Sequence, residues 1–416
     1  MLSTSNFIDD LRLGCKPKDR WRMGLELESF VADSKTGQAL PYEGDKSIRE
    51  ILCRFADRYG WDIISESNNP VALTKDGETF SIEPGGQLEY SGAPYDTLAG
   101  LESALTTFYK NLTSIIDEMD LTLIFAGFPK SWRREDMHWM PKTRYEIMQR
   151  YMPGKGTLGL DMMLRTCGTQ INLDYESEHD MVRKFRVALG LQPLIIALMA
   201  NASFKEGRPV GYASYRAHIW TQTDPDRCGI PDFVFSPAMG FSRYVDYALD
   251  VPMYFVRRQG RYIDVAGRSF RDFMNGRLPE LPGEMPTMTD WQDHLTTLFP
   301  DVRLKRYLEL RGADSQSLDM VMAMAAFWKG ILYTPKALGK ALDDIAKWTT
   351  EHHIRFREEA AMNGLVGVAP EGQDIWVLAA SYIGLASEGL EASEQCYLTP
   401  FRQKIELCAA KQKTAI

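Results

Sequence analysis

GLELESF, residues 24–30, alternates apolar and acidic side chains through Leu25, Glu26, Leu27 and Glu28. Successive side chains of a β-strand point to opposite faces, so this period of two predicts a strand with leucines on one side and both glutamates on the other. Three further segments follow the same rule. YLELRGAD (307–314) sets Glu309 and Arg311 opposite Leu308 and Leu310, and TQINLDY (169–175) sets Gln170, Asn172 and Asp174 opposite Ile171, Leu173 and Tyr175. In SIEPGGQLEYSGAP (81–94), Glu83 and Glu89 flank a Pro-Gly-Gly bend. One such segment is an ordinary strand with its polar side in water. Four of them, rich in carboxylates and amides and almost free of Lys, Ser and Thr on the polar face, predict a shared acidic surface.

Between these strands the spacing turns helical. SIREILCRFADRYG (47–60) is apolar at Ile48, Ile51, Leu52 and Phe55, a second helix is predicted from about Tyr95 to Met119, and a third begins with DMVRKFRVALG at Asp180. Short aromatic and β-branched runs such as PMYFVRR and RYIDVAG follow, and from about residue 313 the chain reads as helical. The stripe Met320, Met322 and Met324 is read as core filler. No repeat, low-complexity linker or shift of composition marks a boundary. The expectation is one catalytic domain over residues 1–416, of α+β class, with a barrel-like antiparallel sheet and helices packed outside it.

The 416 residues are 44% hydrophobic and 25% charged, with a formal net charge of −8. A mildly acidic chain has no field to draw it to nucleic acid or anionic lipid. Its six scattered cysteines contain no C-x-x-C pair, which suits reduced thiols better than a zinc site or a disulfide framework. The N-terminal stretch carries early acids and no long apolar run, and LQPLIIALMA, from Leu191, is about half the length of a membrane span. A soluble, cytoplasmic protein without nucleic-acid or membrane partners is expected.

Carboxylates converging inside a sheet repel one another strongly unless cations sit between them. Hard oxygen ligands in that number suit Mg²⁺, or Mn²⁺, which commonly bridge carboxylates to substrate phosphates. The pattern therefore points to metal-assisted phosphoryl chemistry. Competing motifs are weak: GKGTLG (154–159) follows a Pro-Gly turn outside any βαβ unit, and neither a G-x-x-x-x-G-K-[ST] phosphate loop nor a G-x-S-x-G elbow is present. Lys142, Arg144 and Arg150 cluster in MPKTRYEIMQRYMP, and Arg216 lies among the aromatics of GYASYRAHIW. An arginine in such a setting can grip a carboxylate with two parallel hydrogen bonds, or simply stack on a ring. His218, beside Arg216, can reach the site or serve the core.

EPGGQLEYSGAP, MPKTRYEIMQRYMP, LGLDMMLRTCGTQINLD, YALDVPMYF, HLTTLFPDVRLKRYLELRGAD and AFWKGILY together resemble glutamate–cysteine ligase of the plant and α-proteobacterial type, in order through about residues 10–345. The resemblance implies a glutamine-synthetase-like fold, an antiparallel sheet rolled into a funnel. It also implies synthesis of γ-glutamylcysteine from glutamate, cysteine and ATP through a γ-glutamyl phosphate. Carried over by motif, Glu26, Glu28, Glu83, Glu89 and Glu309 would ligate magnesium, and Gln170 would be a further ligand or an ATP contact. Arg144 and Arg216 would bind the glutamate carboxylates, with Tyr254 lining the pocket, and Arg311 would sit on the ATP phosphates. The partners implied are small-molecule substrates, the assembly a monomer or homodimer.

Departures from the family pattern are Ser29, where a lysine usually follows the second glutamate, and Ser315-Gln316-Ser317-Leu318-Asp319 after the Arg-Gly-Ala-Asp string. Val265 and Glu280 stand, by motif, where plant enzymes carry regulatory cysteines. The altered segments leave open a specialised paralogue with another amine as acceptor. A binding-only homologue is disfavoured by retention of all five glutamates and three arginines.

Overall fold

The computed structural model describes residues 2–414. Its main sheet has nine strands: Met23–Asp33 (β1), Asp62–Glu66 (β2), Asn69–Lys75 (β3), Glu78–Ile82 (β4), Leu88–Ser91 (β5), Leu121–Ile124 (β6), Gly168–Leu173 (β7), Val302–Leu304 (β8) and Leu308–Asp314 (β9). They run in the order β8-β9-β7-β1-β5-β4-β3-β2, with β6 added to the far half of β1, and every pairing is antiparallel. The sheet does not close, because β8 and β2 remain separate edges. The barrel-like sheet expected from the alternation is thus an open one.

The predicted two-faced character of β1 holds. Leu25 and Leu27 are buried while Glu26 and Glu28 stay partly accessible. The leucine-bearing side is covered by the helices Ile48–Tyr59, Leu98–Glu118, Glu178–Met199 and Leu318–Leu332, which pack on β3, β1 and β6, β9, and β7 respectively. Their starts are set by side chains that relieve unpaired backbone donors: Ser47 accepts from Glu50 N, Thr97 from Gly100 N and Ser177 from Asp180 N. From Val187 to Met199 every residue of the third helix is buried, and its sequence is accordingly apolar on all sides. Helices continue to Thr414, and one apolar core joins Phe7 at one end of the chain to Ile405 at the other.

Several sequence features find structural explanations here. Gly154–Gly159 is a loop and short helical turn, in which Lys155 pairs with Asp226 at 2.7 Å. A Cβ on Gly156 would lie 2.2 Å from the Thr223 carbonyl oxygen, so that glycine serves backbone packing. Ser29 shares the leucine face of β1, is fully buried, and turns its back on the acidic surface. Val265 is buried, and Glu280 accepts two hydrogen bonds from Arg268. Among the described residues, no helix is long and apolar enough to cross a membrane.

Candidate active site

Strand register brings the predicted acids together. Glu28 on β1 lies directly opposite Glu89 on β5, and Glu26 opposite Gln170 on β7. One strand further out, Glu309 on β9 lies opposite Asn172. Asn172 Nδ2 donates to Glu26 Oε1 at 2.9 Å, and Ser91 Oγ donates to Glu89 Oε1 at 2.9 Å. The backbone N–H of Gly168 donates to Glu28 Oε2 at 2.6 Å. Glu83 stands on the turn between β4 and β5, with Arg144 Nη2 3.8 Å away and the Tyr145 hydroxyl donating at 3.4 Å.

These carboxylates are not electrically alike. Burial pushes Glu28 up to about 7, with Arg216 opposing the shift and Glu83 adding to it. Burial also raises Glu26, helped by the Glu309 charge, and raises Glu89 well above the ordinary range, helped by Glu83, Glu26 and Glu28. Glu309 is the exception. Burial would raise it, but Arg303, Lys305 and Arg311 together hold it well below the usual value. Arg303 Nε reaches Glu309 Oε2 at 2.5 Å, Arg311 Nη1 reaches the same oxygen at 2.9 Å, and Lys305 Nζ reaches Oε1 at 3.2 Å. Arg303 and Glu309 face each other across β8 and β9, a pairing that a hairpin centred on Arg306 would have revealed in the sequence.

One cavity is lined by Glu28, Glu83, Arg144, Arg216 and Arg311, five of the residues singled out by sequence. Arg311 donates to Gln170 Oε1 as well as to Glu309, so Gln170 acts here as a holder of Arg311. Arg216, on the helix Tyr215–Thr221, donates from Nη2 to the Arg311 carbonyl at 3.1 Å. Its Nε and Nη1 are buried without a partner, and burial lowers its pKa despite the nearby Asp314 and Glu28. Such unmet donors cost free energy that a bound anion would recover.

Tyr254 does not line this cavity. It is fully buried, its hydroxyl points at Met152 Sδ (3.7 Å), and the Arg227 guanidinium carbon lies 3.9 Å from its ring centre. Its neighbour Phe255 faces the cavity instead, because adjacent residues of an extended chain point opposite ways. Asp174 turns to Lys16 Nζ (2.6 Å) and Arg22 N (2.9 Å) at the far end of β7, and His218 stacks on Tyr212 at 4.4 Å. Neither belongs to the site. Sequence reasoning missed Gln87, Met148, Met162, Met163, Thr166, Trp220 and Phe299, which complete the walls. All but Trp220 lie within the strings that carry the resemblance, and nothing local sets them apart.

Among the described residues, no three carboxylate, imidazole or thiol groups converge as a ready-made ligand set. The donor chemistry nevertheless fits a hard divalent cation. Glu26 and Glu89 are recessed carboxylates, each held by one neutral side chain, and each is raised by burial and then by its acidic neighbours.

Comparison with known proteins agrees with this geometry. The profile of glutamate-cysteine ligase family 2 matches residues 22–415, well past the point near residue 345 where the motifs thin out. The chain is 47% identical over 390 residues to the chloroplastic glutamate–cysteine ligase of Medicago truncatula, covering 94% of this chain and 76% of that one. It is 48% identical to the chloroplastic ligase B of Oryza sativa subsp. japonica, over 94% of this chain and 78% of the relative. The crystal structure of glutamate–cysteine ligase from Francisella tularensis in complex with AMP shares the fold, with a TM-score of 0.54 at 13% identity, covering 92% of this chain and 82% of that one. The expected glutamine-synthetase-like α+β fold stands. The expectation of a cytoplasmic protein is overturned by the plant relatives, whose compartment is the chloroplast. Scattered free thiols and a polar N-terminal stretch do not distinguish one reducing compartment from another. By its profile match and by its identity to these enzymes, the chain belongs to glutamate-cysteine ligase family 2.

Proposed function

We propose that the protein joins the γ-carboxylate of glutamate to the amine of cysteine at the expense of ATP. The observation that carries the reading is the meeting of two acids, Glu28 and Glu83, with three arginines, Arg144, Arg216 and Arg311, around one cavity in a chain of this family. Glu26, Glu28, Glu83 and Glu89 are the residues that would hold Mg²⁺, or Mn²⁺, whereas both oxygens of Glu309, the fifth acid expected, are taken by Arg303, Lys305 and Arg311. Such ions, when bound, neutralise the phosphate oxygens of ATP.

The chain's own groups do the rest. Arg216 offers two unmet N–H donors to a glutamate carboxylate, and Arg144 stands beside Glu83 as the second grip. Arg311, held by Glu309 and Gln170, stabilises negative charge on the phosphoryl group as it leaves ADP for the γ-carboxylate oxygen. The amine nitrogen then forms the amide bond as the bond to phosphate breaks, and the amine loses a proton. Met148, Met162, Met163, Phe255 and Phe299 make the wall that keeps water from the acyl phosphate.

Two altered segments raised the question of another acceptor, and neither lines the cavity. Ser29 faces away, and Ser315 Oγ donates to the Glu28 carbonyl at 2.5 Å, which ties the new segment to the back of β1. That favours cysteine. ADP release with glutamate, ATP and Mg²⁺ should rise sharply on adding cysteine, and a better kcat/KM with another amine would reject it.

The acidic cluster makes a second expectation. Glu28 titrates at about 7 in the folded chain against 4.5 for a free glutamate. Between those values the folded chain keeps a proton that the unfolded chain has released, so this group's contribution to stability declines as pH rises through that window. Cation binding needs the carboxylate and therefore competes with that proton. Mg²⁺ should raise Tm more at about pH 8 than at about pH 5.5, and equal shifts at both would remove Glu28 from the cation site.

A further inference from the structure

We propose that Gln87 is a positioning residue whose carboxamide holds Glu83 and Glu28 in register across two separate parts of the chain. The inference rests on reading the acidic cluster as a cation site. Gln87 follows the Pro84-Gly85-Gly86 turn and is 1% exposed. Its Oε1 accepts from Gly85 N at 2.8 Å, and its Nε2 donates to the carbonyls of Met163 and Thr166, both at 3.1 Å. Both N–H groups are thereby used within the chain, and none is left to donate to a substrate.

The backbone carries the same link to each acid. Glu83 N donates to the Gln87 carbonyl at 2.8 Å, and Gly86 N donates back to the Glu83 carbonyl at 2.9 Å. Glu83 is therefore the first residue of a turn closed on Gln87. On the other side, Met163 and Thr166 bracket the end of the helix Gly159–Arg165. Two residues beyond Thr166, the backbone of Gly168 donates to Glu28 Oε2 at 2.6 Å. The turn lies flush on that helix end: a Cβ on Gly85 would fall 2.2 Å from the Leu164 carbonyl oxygen. One carboxamide thus joins the turn that carries Glu83 to the strand start that orients Glu28.

A group that orients metal ligands without touching the metal commonly changes affinity by about 10- to 100-fold when removed. Gln87→Met keeps the length of the side chain and removes all three hydrogen bonds. Titration calorimetry of Mn²⁺ into the full-length protein should show Kd rising by about 10- to 100-fold. A role in folding alone would lower Tm and leave the Mn²⁺ Kd of the folded fraction where it was, and a Kd within twofold of the parent overturns the proposal. If the parent itself fails to bind Mn²⁺, the cation reading falls first, and the two failures are distinct. Should Gln87→Met not fold, Gly85→Ala displaces the same turn from the Leu164 carbonyl with Gln87 intact. It should weaken Mn²⁺ in the same way, and an unchanged Kd there also overturns the proposal.

Discussion

Arg216→Met should lower kcat/KM for glutamate by about 10²- to 10³-fold, the loss expected when one partner of a buried charged hydrogen-bonded pair is truncated. The residue is buried, yet two of its donors meet nothing in the chain, and its third nitrogen is fixed by the Arg311 carbonyl. Its geometry is set before any substrate arrives, so most of the effect should fall on KM for glutamate. Arg216→Lys should recover little, because an ammonium cannot reproduce the planar fork. The fold should survive, since Asp314 behind it remains bonded to Ser214 Oγ (2.7 Å) and Asn201 N (2.8 Å). Steady-state kinetics with glutamate varied at saturating ATP and cysteine would decide it. A KM for glutamate within threefold of the parent would take Arg216 out of the substrate grip.

Glu309→Ala should be the most destabilising single change in the site, by about 3–5 kcal/mol, because it strands buried charges that now share one counter-ion. Arg303 is 5% exposed and Glu309 0%, and Lys305 and Arg311 converge on the same carboxylate. Arg303 also donates to the Thr296 and Leu298 carbonyls, so it cannot swing to water without giving up both. Glu309→Gln should lose somewhat less, since the amide keeps an acceptor. Urea unfolding of the metal-free protein measures the difference directly. A shift below about 1 kcal/mol would mean that the three cations rearrange freely, and would leave Glu309 with a catalytic role only.

Much of the site was legible along the chain because β-structure repeats every two residues. Leu25 and Leu27 against Glu26 and Glu28, or Leu308 and Leu310 against Glu309 and Arg311, show their faces from spacing alone. The same parity rule places Ser29 with the leucines, which removes one reason to doubt cysteine as the acceptor. Tyr254 and Phe255 show where the rule stops. Both lie in one aromatic run, and only the way the hairpin Phe255–Asp264 docks decides which ring meets the cavity.

Gln87 is the clearest case of what a sequence hides. Its partners Met163 and Thr166 lie 76 and 79 positions further on, and no periodicity connects them. The unmet donors of Arg216 are likewise a product of packing between distant segments, whereas the three cations around Glu309 lie within six residues of it on one hairpin. By itself, the sequence determined which residues alternate, which faces are acidic, and the family to which the strings belong. The tertiary structure alone decided which acidic faces meet and which arginine is left unsatisfied. The physical reason is that side-chain direction follows from local backbone geometry, whereas burial and charge pairing depend on segments brought together only when the sheet and its helices close over one another.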